Sequence, residues 1–149
     1  MVEMIDISKK PLVIRIAKAK GELILQKETL KKIKEGQIKK GDPFTVAGIA
    51  ATTAVKKTPE LIPLCHQVPI SDVKTEFTLM DDRVEVQVMV KSLGQTGVEM
   101  EAIIGVSIAL STVWDMVKYL EKDEQGQYPN TSIRHIQVLQ KIKAPLQAD

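Results

Sequence analysis

From Gly97 to Lys122 the chain reads GVEMEAIIGVSIALSTVWDMVKYLEK. At about 100° per residue, Val98, Ala102, Val106, Ala109, Leu110, Val113, Met116, Val117 and Leu120 fall on one stripe, which predicts a helix packed on a sheet. The opposite face (Ile104, Gly105, Ser107, Ile108, Ser111, Thr112) is small and mildly polar, unlike the charged face of a surface helix. The uncharged run Ala102–Trp114 is shorter than the roughly 20 apolar residues a bilayer requires. The helix is therefore expected to be buried on two sides, against its own sheet and against a second subunit. A period of two appears elsewhere. Leu12 to Leu25, Val68 to Met80 and Arg83 to Lys91 read as strands, the last two joined at Asp81-Asp82, with Val84, Val86, Val88 and Val90 on one face. Lys27 to Glu35 reads as a short helix with Leu30 and Ile33 inward and Gly36 ending it. Asp42 suits an N-cap and Pro43 a first helical position, so a helix is expected through Phe44, Val46, Ile49, Ala50 and Val55 to Lys57. Thr58-Pro59-Glu60 is expected to restart a separate helical turn. Ile133, Ile136, Val138 and Ile142 suggest a last strand, although their alternation is imperfect. With the two early helices as one crossover, the order predicts an α+β, ferredoxin-like βαββαβ fold, an antiparallel sheet with helices on one face.

The length of 149 residues suits a single domain over 1–149, and 44% hydrophobic residues can fill its core. Net charge is only +2, from 21 basic and 19 acidic residues, and aromatics are 3%. That combination argues against nucleic-acid binding, which wants a basic patch and stacking surfaces. Cys65 is the single cysteine, so no intrachain disulfide is available and a reducing compartment is expected. MVEMIDISKK lacks the basic-then-apolar pattern of a signal peptide. A soluble cytoplasmic protein without a membrane segment is the expectation.

Phosphate-loop signatures such as GxGxxG are absent. Gly94-Gln95-Thr96-Gly97 opens the long helix, where free N–H groups could hold an anion, although an ordinary turn reads the same way. Cys65 and His66 are adjacent in an apolar loop bracketed by Pro63 and Pro69. With His135 as the one other imidazole, a structural metal set is not expected, and adjacent side chains make a poor nucleophile–base pair. Glu99 and Glu101 point in roughly opposite directions on a regular helix. Glu99 falls near the apolar stripe, while Glu101 suits the positive end of the helix dipole. Asp115 and Lys118 share a face at i, i+3 and continue the uncharged side that is expected to be buried. Lys40 stands just before a helix N-cap, the unfavourable end for a cation unless an anion binds there. Lys, Arg and His together suit a phosphorylated substrate, with Lys and Asp as proton-transfer groups.

Four stretches, Lys40-Gly41-Asp42, Leu61-Ile62-Pro63-Leu64-Cys65-His66, Thr96-Gly97-Val98-Glu99-Met100-Glu101-Ala102 and Asp115-Met116-Val117-Lys118, closely resemble the molybdenum cofactor biosynthesis protein C family. Asp6-Ile7-Ser8 and Arg15 match as well, so the resemblance spans residues 6 to 123. It implies a ferredoxin-like subunit in a homohexamer, a trimer of dimers, with active sites at subunit interfaces. It implies a lyase acting on a GTP-derived small molecule, 3',8-cyclo-7,8-dihydro-GTP. The product is cyclic pyranopterin monophosphate, formed with release of pyrophosphate; no cofactor is expected, and no metal-ligating set is assigned. The substrate comes from a preceding radical enzyme, with which a pathway contact is conceivable. Lys40, Asp115 and Lys118 match catalytic positions. Arg15, Lys56, Leu64, Cys65, His66, Glu99, Met100 and Glu101 match substrate-binding ones, Arg15 and His66 toward the triphosphate. One part departs. Family members typically carry a Lys-Ser-Gly-Gly-Lys type segment near the C-terminus, where this chain has Gln137-Val138-Leu139-Gln140-Lys141-Ile142-Lys143. Lys141 or Lys143 could stand in for the missing cation. Otherwise the chain could be a non-catalytic oligomeric nucleotide-binding or scaffold relative.

Overall fold

The computed structural model describes residues 1–146. In chain order its elements are β1 (Val13–Ile24), α1 (Lys27–Lys34), α2 (Pro43–Leu61), β2 (Ile70–Leu79), β3 (Arg83–Gly94), α3 (Glu99–Glu121) and β4 (Ser132–Ala144). The strands lie in the order β2-β3-β1-β4, each neighbouring pair antiparallel. This is the expected βαββαβ layout, with α1 and α2 in the first crossover and α3 in the second. Alternation fixes which side is core. Ala17, Ala19 and Leu23 of β1 and Val84, Val86, Val88 and Val90 of β3 are fully buried and form one cluster with the apolar stripe of α3.

By length and composition α3 is apolar enough to cross a membrane, because its 23 residues exceed the uncharged run within it. Its stripe is instead spent on the sheet, Val98, Ala102, Val106, Ala109, Leu110, Val113 and Val117 being buried. The second face departs from expectation. A Cβ on Gly105 would meet Val55 of α2 and Val88 of β3, each at 3.0 Å. This flank of α3 is thus covered by α2 of the same chain, whose Ala47, Ala51 and Ala54 are buried. Ser107 and Thr112 bond to the carbonyls four residues back, at 2.8 and 2.7 Å, and Ile108 and Ser111 are exposed.

One further expectation is corrected, and the irregularity of the last strand, which is present as expected, finds its cause. α2 runs unbroken through Pro59 to Leu61. A proline so near the C-terminal end forfeits a single intrahelical hydrogen bond, and Ile62 N–H still reaches Thr58 O at 2.9 Å. The imperfect alternation of β4 comes from two bulges in β4 where it pairs with β1. Lys18 pairs with Gln140 and Ala19 with Val138, leaving Leu139 over. Lys20 pairs with Gln137 and Glu22 with Arg134, so His135 and Ile136 stand opposite Gly21 alone. His135 takes φ 56° there. Each extra residue moves later side chains to the other face.

Glu121 closes the structure at the far end of α3. It is 1% exposed and accepts hydrogen bonds from Thr131 Oγ1 at 2.7 Å, from Thr29 Oγ1, and from Gln26 N–H at 3.2 Å. Gln26 offers α1 no side-chain cap of its own, so α3 supplies the acceptor for these orphan donors.

Candidate functional site

The first cluster forms where the turn before α2 meets the last third of α3. Buried Ile38 anchors that turn, Gly41 takes φ 112°, and Asp42 accepts from Phe44 N–H at 3.1 Å to cap α2. Lys39 fastens the turn to α3. Its N–H donates to Tyr119 Oη at 3.0 Å and its ammonium lies 5.2 Å from the Tyr119 ring centroid. Lys40 Nζ therefore reaches Asp115, 3.2 Å from Oδ2 and 3.2 Å from the main-chain oxygen. Lys118, one helical turn on, places Nζ 3.0 Å from Asp115 Oδ1. One carboxylate is thus held between two ammonium groups. The Lys118 hydrogen bond, then that of Lys40, holds the Asp115 carboxyl below its ordinary range, and Asp115 in turn raises Lys118. These side chains are 42–56% exposed, so the expectation that this face is buried does not hold for the single chain. The α2–α3 packing covers a different flank.

The second cluster gathers at the start of α3. Arg15 occupies an inward position of β1, is 8% exposed, and donates from Nε to Gly94 O at 3.1 Å. Lys141, opposite Ala17 in the β1–β4 register, places Nζ 3.0 Å from Glu99 Oε1. Burial pushes Glu99 up, but its hydrogen bonds to Lys141 and its own N–H, with the charges of Lys141 and Arg15, leave its carboxyl below the ordinary range. Glu101 behaves oppositely. It is 2% exposed, and burial, reinforced by the Glu99 charge, raises it despite a bond from its own N–H. Glu101 and Lys56 of α2 line a 220 Å³ cavity with Glu60 and Gln67. Burial first, and then Glu101, raises the Cys65 thiol, which suits a packing side chain rather than a nucleophile. His66 Nε2 lies 2.7 Å from Ile5 O. Leu64 and Met100 are exposed.

Lys40, Asp115 and Lys118 thus come together, as do Arg15, Glu99, Glu101, Cys65 and Lys56. The two groups do not meet in one chain. Glu99 and Asp115 are 16 residues apart on one straight helix, a separation of about 24 Å at 1.5 Å per residue. Of the two carboxylates at the start of α3, the one more withdrawn from water is Glu101, not Glu99 as the stripe suggests. Sequence reading also left the cation from β4 undecided between Lys141 and Lys143, and it passed over Glu121. Glu121 was legible, since it lies four residues beyond Val117 and so continues the buried stripe.

Residues 4–144 match the model of the MoaC family. The chain is 54% identical over 140 residues to a Methanosarcina acetivorans protein named probable cyclic pyranopterin monophosphate synthase, covering 94% of this chain and 89% of that one. It is 51% identical over 142 residues to a Pyrococcus horikoshii protein of the same name, covering 95% and 89%. A Methanothermobacter thermautotrophicus protein named probable cyclic pyranopterin monophosphate synthase accessory protein is 51% identical over 145 residues, covering 97% and 91%.

Proposed function

The chain belongs to the MoaC family, and from that membership we propose that it is a cyclic pyranopterin monophosphate synthase, a lyase of molybdenum cofactor biosynthesis. It converts 3',8-cyclo-7,8-dihydro-GTP to cyclic pyranopterin monophosphate and releases pyrophosphate. Rings open and reclose in this rearrangement, so protons must move, and the departing pyrophosphate needs cations beside it. The observation that carries the reading is the Lys40–Asp115–Lys118 group. Two ammoniums around one carboxylate offer both a proton-transfer couple and positive charge. Arg15, Lys56 and Lys141 supply the cationic side of the substrate pocket, and His66 supplies a further polar contact. Glu99, held below the ordinary range, is suited to staying ionised, and Glu101, raised by burial, to keeping a proton that it can donate.

The two clusters sit at opposite ends of α3, so the pocket is best completed by pairing the N-terminal end of one α3 with the C-terminal end of another. That supports a homohexamer with interfacial sites. Lys141 also answers the absent glycine-rich tail, because strand β4 carries a cation to Glu99. This favours catalysis over a non-catalytic scaffold. The reducing cytoplasm suits the lone thiol of Cys65, and residues 1–149 act as one domain.

The test is product formation from the cyclised dihydro-GTP by the purified chain and two variants across a pH series. Arg cannot give up its proton in a protein. Lys118→Arg should therefore lose roughly 10²-fold or more in turnover, the scale of general acid–base catalysis. Arg15→Lys, which keeps its charge, should chiefly raise the substrate concentration required. Near-native turnover of Lys118→Arg would make Lys118 a phosphate clamp and Lys40 the proton carrier. Absence of product from the unaltered chain would defeat the assignment.

A further inference from the structure

The segment ahead of β1 belongs to no helix or strand, yet it is tied to the site at two points. Asp6 Oδ1 accepts from Ser8 N–H at 2.8 Å, an Asx turn, and Lys10 N–H reaches Ile7 O at 3.0 Å to close a second turn. These turns present two main-chain carbonyls to one side chain. Gln95 Nε2 donates to Ser8 O at 3.3 Å and to Lys10 O at 3.2 Å. Gln95 follows Gly94, whose carbonyl receives Arg15 Nε, so the clamp is built on the turn that seats Arg15. At the other end of the segment Ile5 O meets His66 Nε2 at 2.7 Å. A carbonyl oxygen can only accept, so Nε2 carries the proton and Nδ1 is the ring nitrogen left for a ligand.

We infer that Ile5–Lys10 is a positioning strap of the active site, held through its main chain by Gln95, and that the Ile5 carbonyl fixes His66 as the Nε2–H tautomer so that Nδ1 faces the substrate as an acceptor for one of its N–H or O–H groups rather than for its phosphates. This rests on the reading of His66 as a substrate contact. Gln95 and Ile5 are positioning residues that act through the imidazole.

Gln95→Glu tests the clamp, because it keeps the shape and turns an amide donor toward two carbonyls into an acceptor. Gln95→Ala removes the group altogether and serves if the first variant folds poorly. Histidine labelled with nitrogen-15 reports two rings, His66 and His135, and is read at about pH 8.5, above the ordinary imidazole pKa. In the native chain His66 should show a protonated Nε2 and a bare Nδ1. In the Gln95 variants the two nitrogens should average, and tryptic cleavage after Lys9 should quicken on the order of tenfold. KM should rise about threefold to tenfold with kcat nearly kept, as for a lost binding interaction. The same Gln95 change in a His66→Ala background should add nothing further to KM. A native His66 with a bare Nε2, or unaltered tautomer and cleavage in the Gln95 variants, overturns the strap. A Gln95 effect on KM that persists without His66 overturns action through the imidazole. If His66→Ala leaves KM unchanged, the substrate-contact reading fails, while the ligand-free spectra and cleavage rates still judge the strap.

Discussion

Glu99 and Glu101 are separated by one residue and are pushed in opposite directions, which follows from what packs beside each. Glu99 has Lys141 at 3.0 Å. Glu101 stands four residues before Gly105 and shares the flank that α2 covers, so it loses water without gaining a cation. A raised folded carboxyl binds its proton more tightly than the unfolded chain does. Its ionisation therefore costs stability as pH rises through the folded value, and that cost is absent below the unfolded value. Glu101→Gln, neutral at every pH, should melt higher than the native chain near neutrality. The difference should vanish below about pH 4, the ordinary glutamate range. Melting curves of both proteins over a pH series measure this, and an equal or lower Tm for the variant at pH 7 would show that Glu101 has a compensating partner. The sequence placed both carboxylates at the site but misjudged which is buried. A helical wheel gives angles around one helix, whereas the neighbour that fills an angle is a tertiary fact.

At the scale of elements, alternation in β2 and β3 and the Asp42-Pro43 start of α2 were legible because they depend on residues close in sequence. The unbroken helix at Pro59 and the cause of the broken alternation in β4 were not. The first depends on how near the helix end the proline falls, and the second on bulges set by the β1 partner. Gly21 shows why the partner matters. A Cβ there would lie 2.7 Å from Val106 Cγ1, 2.9 Å from Leu110 Cδ1 and 3.0 Å from Ile136 Cγ1. The absent side chain lets α3 lie close to β1 just where β4 bulges, a use of strand glycine that needs no turn. Gly21→Ala should destabilise by about 1–3 kcal/mol, the usual range for overpacking, as read from urea unfolding. A change near zero would mean that α3 can shift outward freely. Gly105→Leu belongs to the same class, since Val55 and Val88 crowd it within the chain.

For the molecule as a whole, apolar side chains remain exposed on β4 and on α2 of the single chain. Ile136, Val138, Leu139 and Ile142 are exposed on β4, which forms one edge of the sheet, and Ile49 is 66% exposed on α2. Long apolar edges seldom remain bare in solution. Light scattering should report the hexamer, and a well-behaved monomer would oppose interfacial sites. The placement of the two clusters at opposite ends of α3 also has a genetic consequence. If each pocket draws on two copies, a chain damaged at Glu99 and a chain damaged at Lys118 carry lesions in different halves of the same pocket. Neither homomer should turn over substrate. Coassembled in equal amounts, roughly a quarter of the pockets should draw both undamaged halves, by random pairing across a heterologous contact. Two null alleles would then complement each other within one assembly, whereas a chain bearing both lesions would spoil every pocket it entered.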